Sequence, residues 1–146
     1  MQTKYFAIAA SAALLPSLIF GMPAKAEDSG QVQQLLQTGA CQGCDLSGAD
    51  LSQAHLIGAD LRDANLQNSN LSEANLEGAD LTGANLTGAN LTNAFLTNAS
   101  LNDTNLTAVN LTRAVIYFAD VAGARMEDLN LTEAQVYGTG ISVGGD

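Results

Sequence analysis

Residues 79–93 read Ala79-Asp80-Leu81-Thr82-Gly83-Ala84-Asn85-Leu86-Thr87-Gly88-Ala89-Asn90-Leu91-Thr92-Asn93. The unit Ala-(Asp/Asn)-Leu-x-x is written three times there. Its register holds from Leu46 to Ile141, twenty positions of which fifteen are Leu and the rest Ile116, Val121, Met126, Val136 and Ile141. Two residues before each sits a small residue, usually Ala, as in Ala49, Ala54, Ala59 and Ala64. A period of five fits neither the 3.6 residues of an α-helical turn nor the 3.5 of a coiled coil, so helix is excluded here. In extended backbone, residues two apart point the same way. Ala and Leu therefore face one side, and the Asp, Asn, Ser and Thr residues that flank Leu face the other.

The residue two after each Leu supplies the bend. It is Gly at 43, 48, 58, 78, 83, 88, 123 and 138, and Asn or Asp at 63, 68, 93, 98, 103 and 128. These residues tolerate the positive φ that the third position of a type II turn requires. A turn every five residues, always toward the same side, coils the chain around its own Leu and Ala.

This pattern resembles the pentapeptide-repeat family over nearly all of the chain past residue 40. The resemblance implies an all-β fold, a right-handed quadrilateral parallel β-helix with four units per coil. The sequence offers its own check. The large apolar residues on outward flanks, Ile57, Phe95, Val115, Tyr117 and Tyr137, belong to the units centred on 56, 96, 116 and 136, which differ by multiples of twenty. Twenty units then give about five coils across 41–141, a rod of about 24 Å at the spacing of neighbouring strands. Stacked Asn columns, such as Asn70, Asn90, Asn110 and Asn130, are placed to form side-chain ladders.

The ends of a solenoid need covers. Within 27–40 the spacing predicts a short helix from Ser29 to Gln37, with Val32, Leu35 and Leu36 on one face and Gly39 as its stop. It reads as a lid over the first coil. The segment 142–146 carries no helical pattern. Residues 1–26 read as a secretory signal peptide: Lys4, an apolar run from Tyr5 to Phe20, then Ala24-Lys25-Ala26 ahead of Glu27. The expected location is export, to a periplasm or a thylakoid lumen, where members of the resembled family occur, with no membrane insertion after cleavage.

All fifteen acidic residues lie after residue 26, whereas Lys4 and Lys25 leave with the leader, so the formal charge moves from −10 to −12. Such a surface repels nucleic acid and anionic headgroups and suits a basic partner. Cys41-Gln42-Gly43-Cys44 spans one corner, with both side chains on the inward rows. It is similar to the turn that opens the repeats in cyanobacterial members of the family. Three readings stand: a disulfide, which an oxidising compartment permits, two buried thiols filling the core, and a redox-active pair.

The candidate interaction face is His55, Ile57, Phe95, Val115, Tyr117 and Tyr137, with Phe118 at its corner. It serves docking to an unidentified protein or self-association, against the plainer reading that single exposed apolar residues need no explanation. The adjoining Asp60, Asp80 and Asp120, with Asp63 and Asp103, read as a solvated acidic surface rather than a calcium site. His55 has no nucleophile in register, so no catalytic residue, metal or cofactor is expected and the chain is not read as an enzyme. The triplets at Asn85, Asn90 and Asn105 are by-products of the repeat. The function expected is an exported structural or protein-interaction module. The alternative is a DNA-mimicking, topoisomerase-interacting member of the resembled family, which the signal peptide argues against.

Overall fold

The computed structural model describes residues 29–141. The expected signal peptide, 1–26, and the tail, 142–146, lie outside the described residues.

One unit explains the wall. Around Leu81, all five backbone donors are satisfied. Leu81 N–H donates to Ser100 O at 2.8 Å and Gly83 N–H to Asn102 O at 2.8 Å, both in the next coil. Ala84 N–H closes the corner onto Leu81 O at 2.9 Å, and Asn85 N–H reaches back to Ala64 O in the previous coil at 2.9 Å. The fifth donor, Thr82 N–H, points outward and is taken by the Asp80 side chain, Oδ1, at 3.0 Å. Buried or bent backbone has to find partners for its N–H groups, and here an Asx side chain supplies the one the ladder cannot. Thr92 on Asn90, Thr107 on Asn105 and Thr112 on Asn110 repeat the arrangement, each Thr hydroxyl adding a second donation to the same oxygen.

Every corner from residue 43 to residue 138 has positive φ at its third position, whether or not it is glycine. Gln53, Glu73, Ala108, Arg113, Phe118 and Glu133 hold φ of 55–60° although such side chains disfavour it. With the corner N–H bonded to the next coil, as Ala108 N–H is to Glu127 O, tertiary pairing overrides local preference.

All bridges between coils are parallel and join residues twenty apart, from Ala40↔Asp60 to Asn110↔Asn130. Four units thus complete one circuit. Each wall is pinned chiefly at one residue between two turns, so extended runs are short. Among the described residues only two three-residue strands form, β1 (Val115–Tyr117) and β2 (Gln135–Tyr137), paired in parallel. Their β-branched and aromatic residues favour extended backbone.

The inward rows form one core. Leu61, Leu81 and their neighbours are fully buried, with the Ala rows between them. Among the buried Ala positions, two carry hydroxyls instead, Ser69 and Thr104. Both are buried, and each donates to the carbonyl three residues earlier, Leu66 O and Leu101 O. The Asn column is a ladder in part. Asn70 Nδ2 donates to Asp50 Oδ1 at 3.0 Å and Asn90 Nδ2 to Asn70 Oδ1 at 3.3 Å. Further up the column, the Oδ1 atoms of Asn110 and Asn130 accept from Thr112 and Thr132.

The helix α1 spans Ser29–Thr38. Leu35 is buried in the common core and Val32 packs against it. Leu36 does not share that face: it is 53% exposed, because Val32 and Leu35 already occupy the contact with the first coil. Gly39, at φ 69°, ends the helix by donating its N–H to Leu35 O. Two glutamines tie α1 down: Asp45 N–H donates to Gln31 Oε1 at 2.7 Å, and Gln34 Nε2 donates to Ala40 O at 2.8 Å.

Candidate docking surface

Four walls follow from the twenty-residue register, and they differ in chemistry. Two carry Asp and Asn before Leu at almost every level. The wall centred on Leu56, Leu76, Leu96, Ile116 and Val136 departs from this. Its outward residues before the centre are His55, Asn75, Phe95, Val115 and Gln135, and those after it are Ile57, Glu77, Thr97, Tyr117 and Tyr137.

Of the residues expected on this face, the structure brings together Phe95, Val115, Tyr117, Phe118 and Tyr137. Phe95 pairs with Val115, and Tyr117 lies in register with Tyr137 through the β1–β2 pairing. The Tyr117 hydroxyl donates to Gln135 Oε1 at 2.5 Å. Phe118 meets Tyr137 edge-on, ring centroids 5.4 Å apart at 87°, a favoured aromatic geometry. Tyr137, Phe118 and Phe95 are 67%, 57% and 42% exposed. His55 and Ile57 are exposed too, but Asn75 separates His55 from Phe95, and Glu77 and Thr97 separate Ile57 from Tyr117. The apolar group is therefore a patch toward the carboxyl end, with Ile57 and His55 apart from it.

The corner after this wall shows why Phe118 lies as it does. A side chain on Gly138 would stand 2.5 Å from the Phe118 ring, so the ring lies across the glycine of the next coil. The Asp63–Gly83 and Asp103–Gly123 pairs repeat this on the following corner, each carboxylate resting over a glycine twenty residues on. That alternation was readable as a spacing of twenty between large and absent side chains.

Beside Phe118 the core opens into a cleft of about 460 Å³, which sequence reasoning missed. Its floor is Val121, shorter than the usual Leu. Ala122, Met126 and the Gly138-Thr139-Gly140 backbone form its sides, and Asp120 lines it as well. Met126, Leu131 and Val136, the next inward residues, are only partly covered. The cue in the sequence was the run of smaller or unbranched residues, Val121 and Met126, in the Leu row.

The acidic wall is engaged with itself. Arg62 forks onto Asp60, Nε to Oδ1 at 2.8 Å and Nη2 to Oδ2 at 2.7 Å, and its Nε stands 3.7 Å from Asp80 Oδ2. The guanidinium holds the Asp60 carboxyl below its usual range. On another corner, Arg113 does the same to Glu133 at 2.6 Å. Asp50 is lowered by its hydrogen bonds from Ser52. Among the described residues there is no cluster of three or more metal-ligating side chains, and no helix long and apolar enough to cross a membrane. Cys41 and Cys44 are joined, S–S 2.02 Å, across the first corner, with Cys41 Sγ 3.5 Å from Gln31 O of α1.

A coil closed every twenty residues by four five-residue units defines a parallel β-helix solenoid with one apolar wall segment. The pentapeptide-repeat family model matches residues 44–83 and 79–116. The chain belongs to the pentapeptide-repeat family, and its fold is that family's right-handed β-helix. A pentapeptide repeat protein from Nostoc Pcc 7120 is 29% identical, covering 70% of this chain and 93% of its own, with a TM-score of 0.61. A pentapeptide repeat protein of the Arabidopsis thaliana thylakoid lumen is 30% identical over 67% of this chain and 65% of its own, TM-score 0.40. Rfr23 from the cyanobacterium Cyanothece is 27% identical over 76% and 92%, TM-score 0.41. Comparison with curated proteins finds no match.

Proposed function

We propose that the chain is an exported, non-catalytic protein-interaction module: a rod of five coils under the α1 lid that docks a partner through the wall bearing Phe95, Val115, Tyr117, Phe118 and Tyr137. The observation that carries this is the contiguity of that patch on a rod whose other walls are lined with Asp, Asn, Ser and Thr. Exposed contiguous apolar area is uncommon on soluble proteins and marks interaction sites. The leader pattern at residues 1–26 supports export to a periplasm or thylakoid lumen, and an oxidising compartment suits the Cys41–Cys44 bond.

The test is affinity capture from the envelope or thylakoid fraction with wild-type protein and with a Phe95→Ser/Tyr117→Ser variant. The reading expects partners retained by wild type and lost by the variant. Identical captured sets would sink it. The excess of acidic residues favours one other reading, a DNA-mimicking protein that engages a topoisomerase. Inhibition or protection of DNA gyrase in a supercoiling assay would support that one instead.

A further inference from the structure

The cleft beside Phe118 is continuous with the aromatic patch, because the Phe118 ring lies both against Tyr137 and on the cleft wall. The surface thus runs from Phe95 up the wall, around the corner at Phe118 and into the cavity over Val121. We infer that wall and cleft form one docking surface for a cationic amphipathic segment of a partner protein. One apolar side chain of that segment seats over Val121, and an ammonium or guanidinium group pairs with Asp120. This rests on the docking function proposed above and specifies the partner's chemistry.

Three observations fix that chemistry. The cleft, about 460 Å³, has ample room for one apolar side chain, and the methyl groups of Val121 and Ala122 with the Met126 thioether give it apolar contacts. Its charged lining residue is an acid. Asp120 accepts from Ala122 N–H at Oδ1, 3.2 Å, and from Asn102 Nδ2 at Oδ2, 3.0 Å. A carboxylate offers about four acceptor sites, so each oxygen keeps one for a partner's N–H. Around the cleft the balance is negative, with Glu127 and Asp128 following Met126 against Arg125 before it, and the chain as a whole has 15 acids against 5 bases. Complementary charge steers a basic segment in and turns an acidic one away, and the same field disfavours anionic lipid.

The experiment uses the ¹⁵N-labelled protein and three synthetic 14-residue peptides: one of Lys and Leu in helical spacing, one with Glu for every Lys, and one with Ser for every Leu. The Lys/Leu peptide is expected to bind at least about tenfold more tightly than either of the others, weakening as salt rises. Amide shifts should concentrate at Phe118–Ala122, Met126 and Gly138–Gly140. Asp120→Asn should weaken binding about threefold, the size of an exposed ion pair. Ala122→Trp, which fills the cleft from an exposed position, should abolish those shifts, and dispersion of the remaining spectrum reports that the fold is intact. Equal binding of the Glu/Leu or Lys/Ser peptide would overturn the proposal. So would shifts spread over the acidic wall, or shifts at the same residues on dilution of the protein alone, which would assign the surface to a second copy. Capture that is lost in Phe95→Ser/Tyr117→Ser but kept in Ala122→Trp and Asp120→Asn leaves the wall reading standing and removes this one. Capture unchanged in all variants removes the wall reading itself.

Discussion

Truncating Leu81 and Leu131 to alanine, one at a time, measures how far the core is closed along the rod. Leu81 has no exposed surface, and its column continues in Leu61 and Leu101, one coil to either side. Removing its three outer carbons forfeits their transfer free energy and leaves a void that rigid, hydrogen-bonded walls cannot collapse into. For such sites the cost is about 3–5 kcal/mol. Leu131 occupies the equivalent inward Leu position of another wall, in the last described coil, and is only half-buried. Less apolar area returns to water there, and the gap opens to solvent instead of remaining a void, so about 1–2 kcal/mol is expected. Urea unfolding followed by circular dichroism separates the two. At a slope of about 1.5 kcal/mol per molar, Leu81→Ala lowers the midpoint by about 2–3 M and Leu131→Ala by about 1 M. Equal shifts would refute the reasoning, for they would mean that the last coil is as covered as the middle one.

Gly138→Ala should cost about 1–2 kcal/mol, from a left-handed φ of 67° and from the Phe118 ring it must displace; thermal melting reads the cost, and near-ultraviolet dichroism reads loss of the Phe118–Tyr137 edge contact. Asn90→Ala removes the acceptor of both Thr92 N–H and Thr92 Oγ1 and should lower stability by about 1–2 kcal/mol, whereas Glu77→Ala, at an exposed wall position with ordinary φ, tests loss of an outward side chain alone. An equal loss in both would deny the Asn90 side chain its role in closing the turn. Asp50, Asp60 and Glu133 titrate below their ordinary values, so their contribution to stability is present above the ordinary carboxylate range and is lost as pH falls through the lowered values. The urea midpoint should hold near neutral pH and decline below about pH 4; Asp60→Asn should flatten that decline, and an unchanged slope would count against the Arg62–Asp60 pair.

The rows were legible because they obey two strict rules. Alternation puts Ala49 and Leu51 on one side, and a period of five returns the next pair to it. The corners were legible only where glycine, Asn or Asp marked them. Nothing local in Ala108 or Arg113 announces positive φ; the hydrogen bond each makes to the next coil imposes it. Asp80 and Asn90 were readable as outward and polar, but not as acceptors for the backbone two residues on, because an exposed side chain and a turn-closing one look alike in sequence. Leu36 misled for a similar reason: helical spacing groups it with Leu35, and only the placement of α1 on the coil shows which shoulder is covered. The patch was found by counting in twenties. That count could not tell that Glu77 and Thr97 interrupt it, since membership of a wall says nothing about contact along it. The cleft needed volumes, and the shortening from Leu to Val at 121 becomes a cavity only beside glycines 138 and 140.

The twenty-residue register has a consequence for how such a chain can be rebuilt. Because each unit is a quarter-circuit, splicing in one extra unit keeps every Leu inward and every corner a corner, yet swings everything beyond it to the neighbouring side of the rod. An added unit between Ala64 and Ala94 would leave Ile57 where it is and carry Phe95 and Tyr117 round by one side. Four added units would restore the alignment and only lengthen the rod. Length changes in fives thus act as a dial that sets the bearing of the aromatic patch relative to the lid, leaving the core sequence untouched.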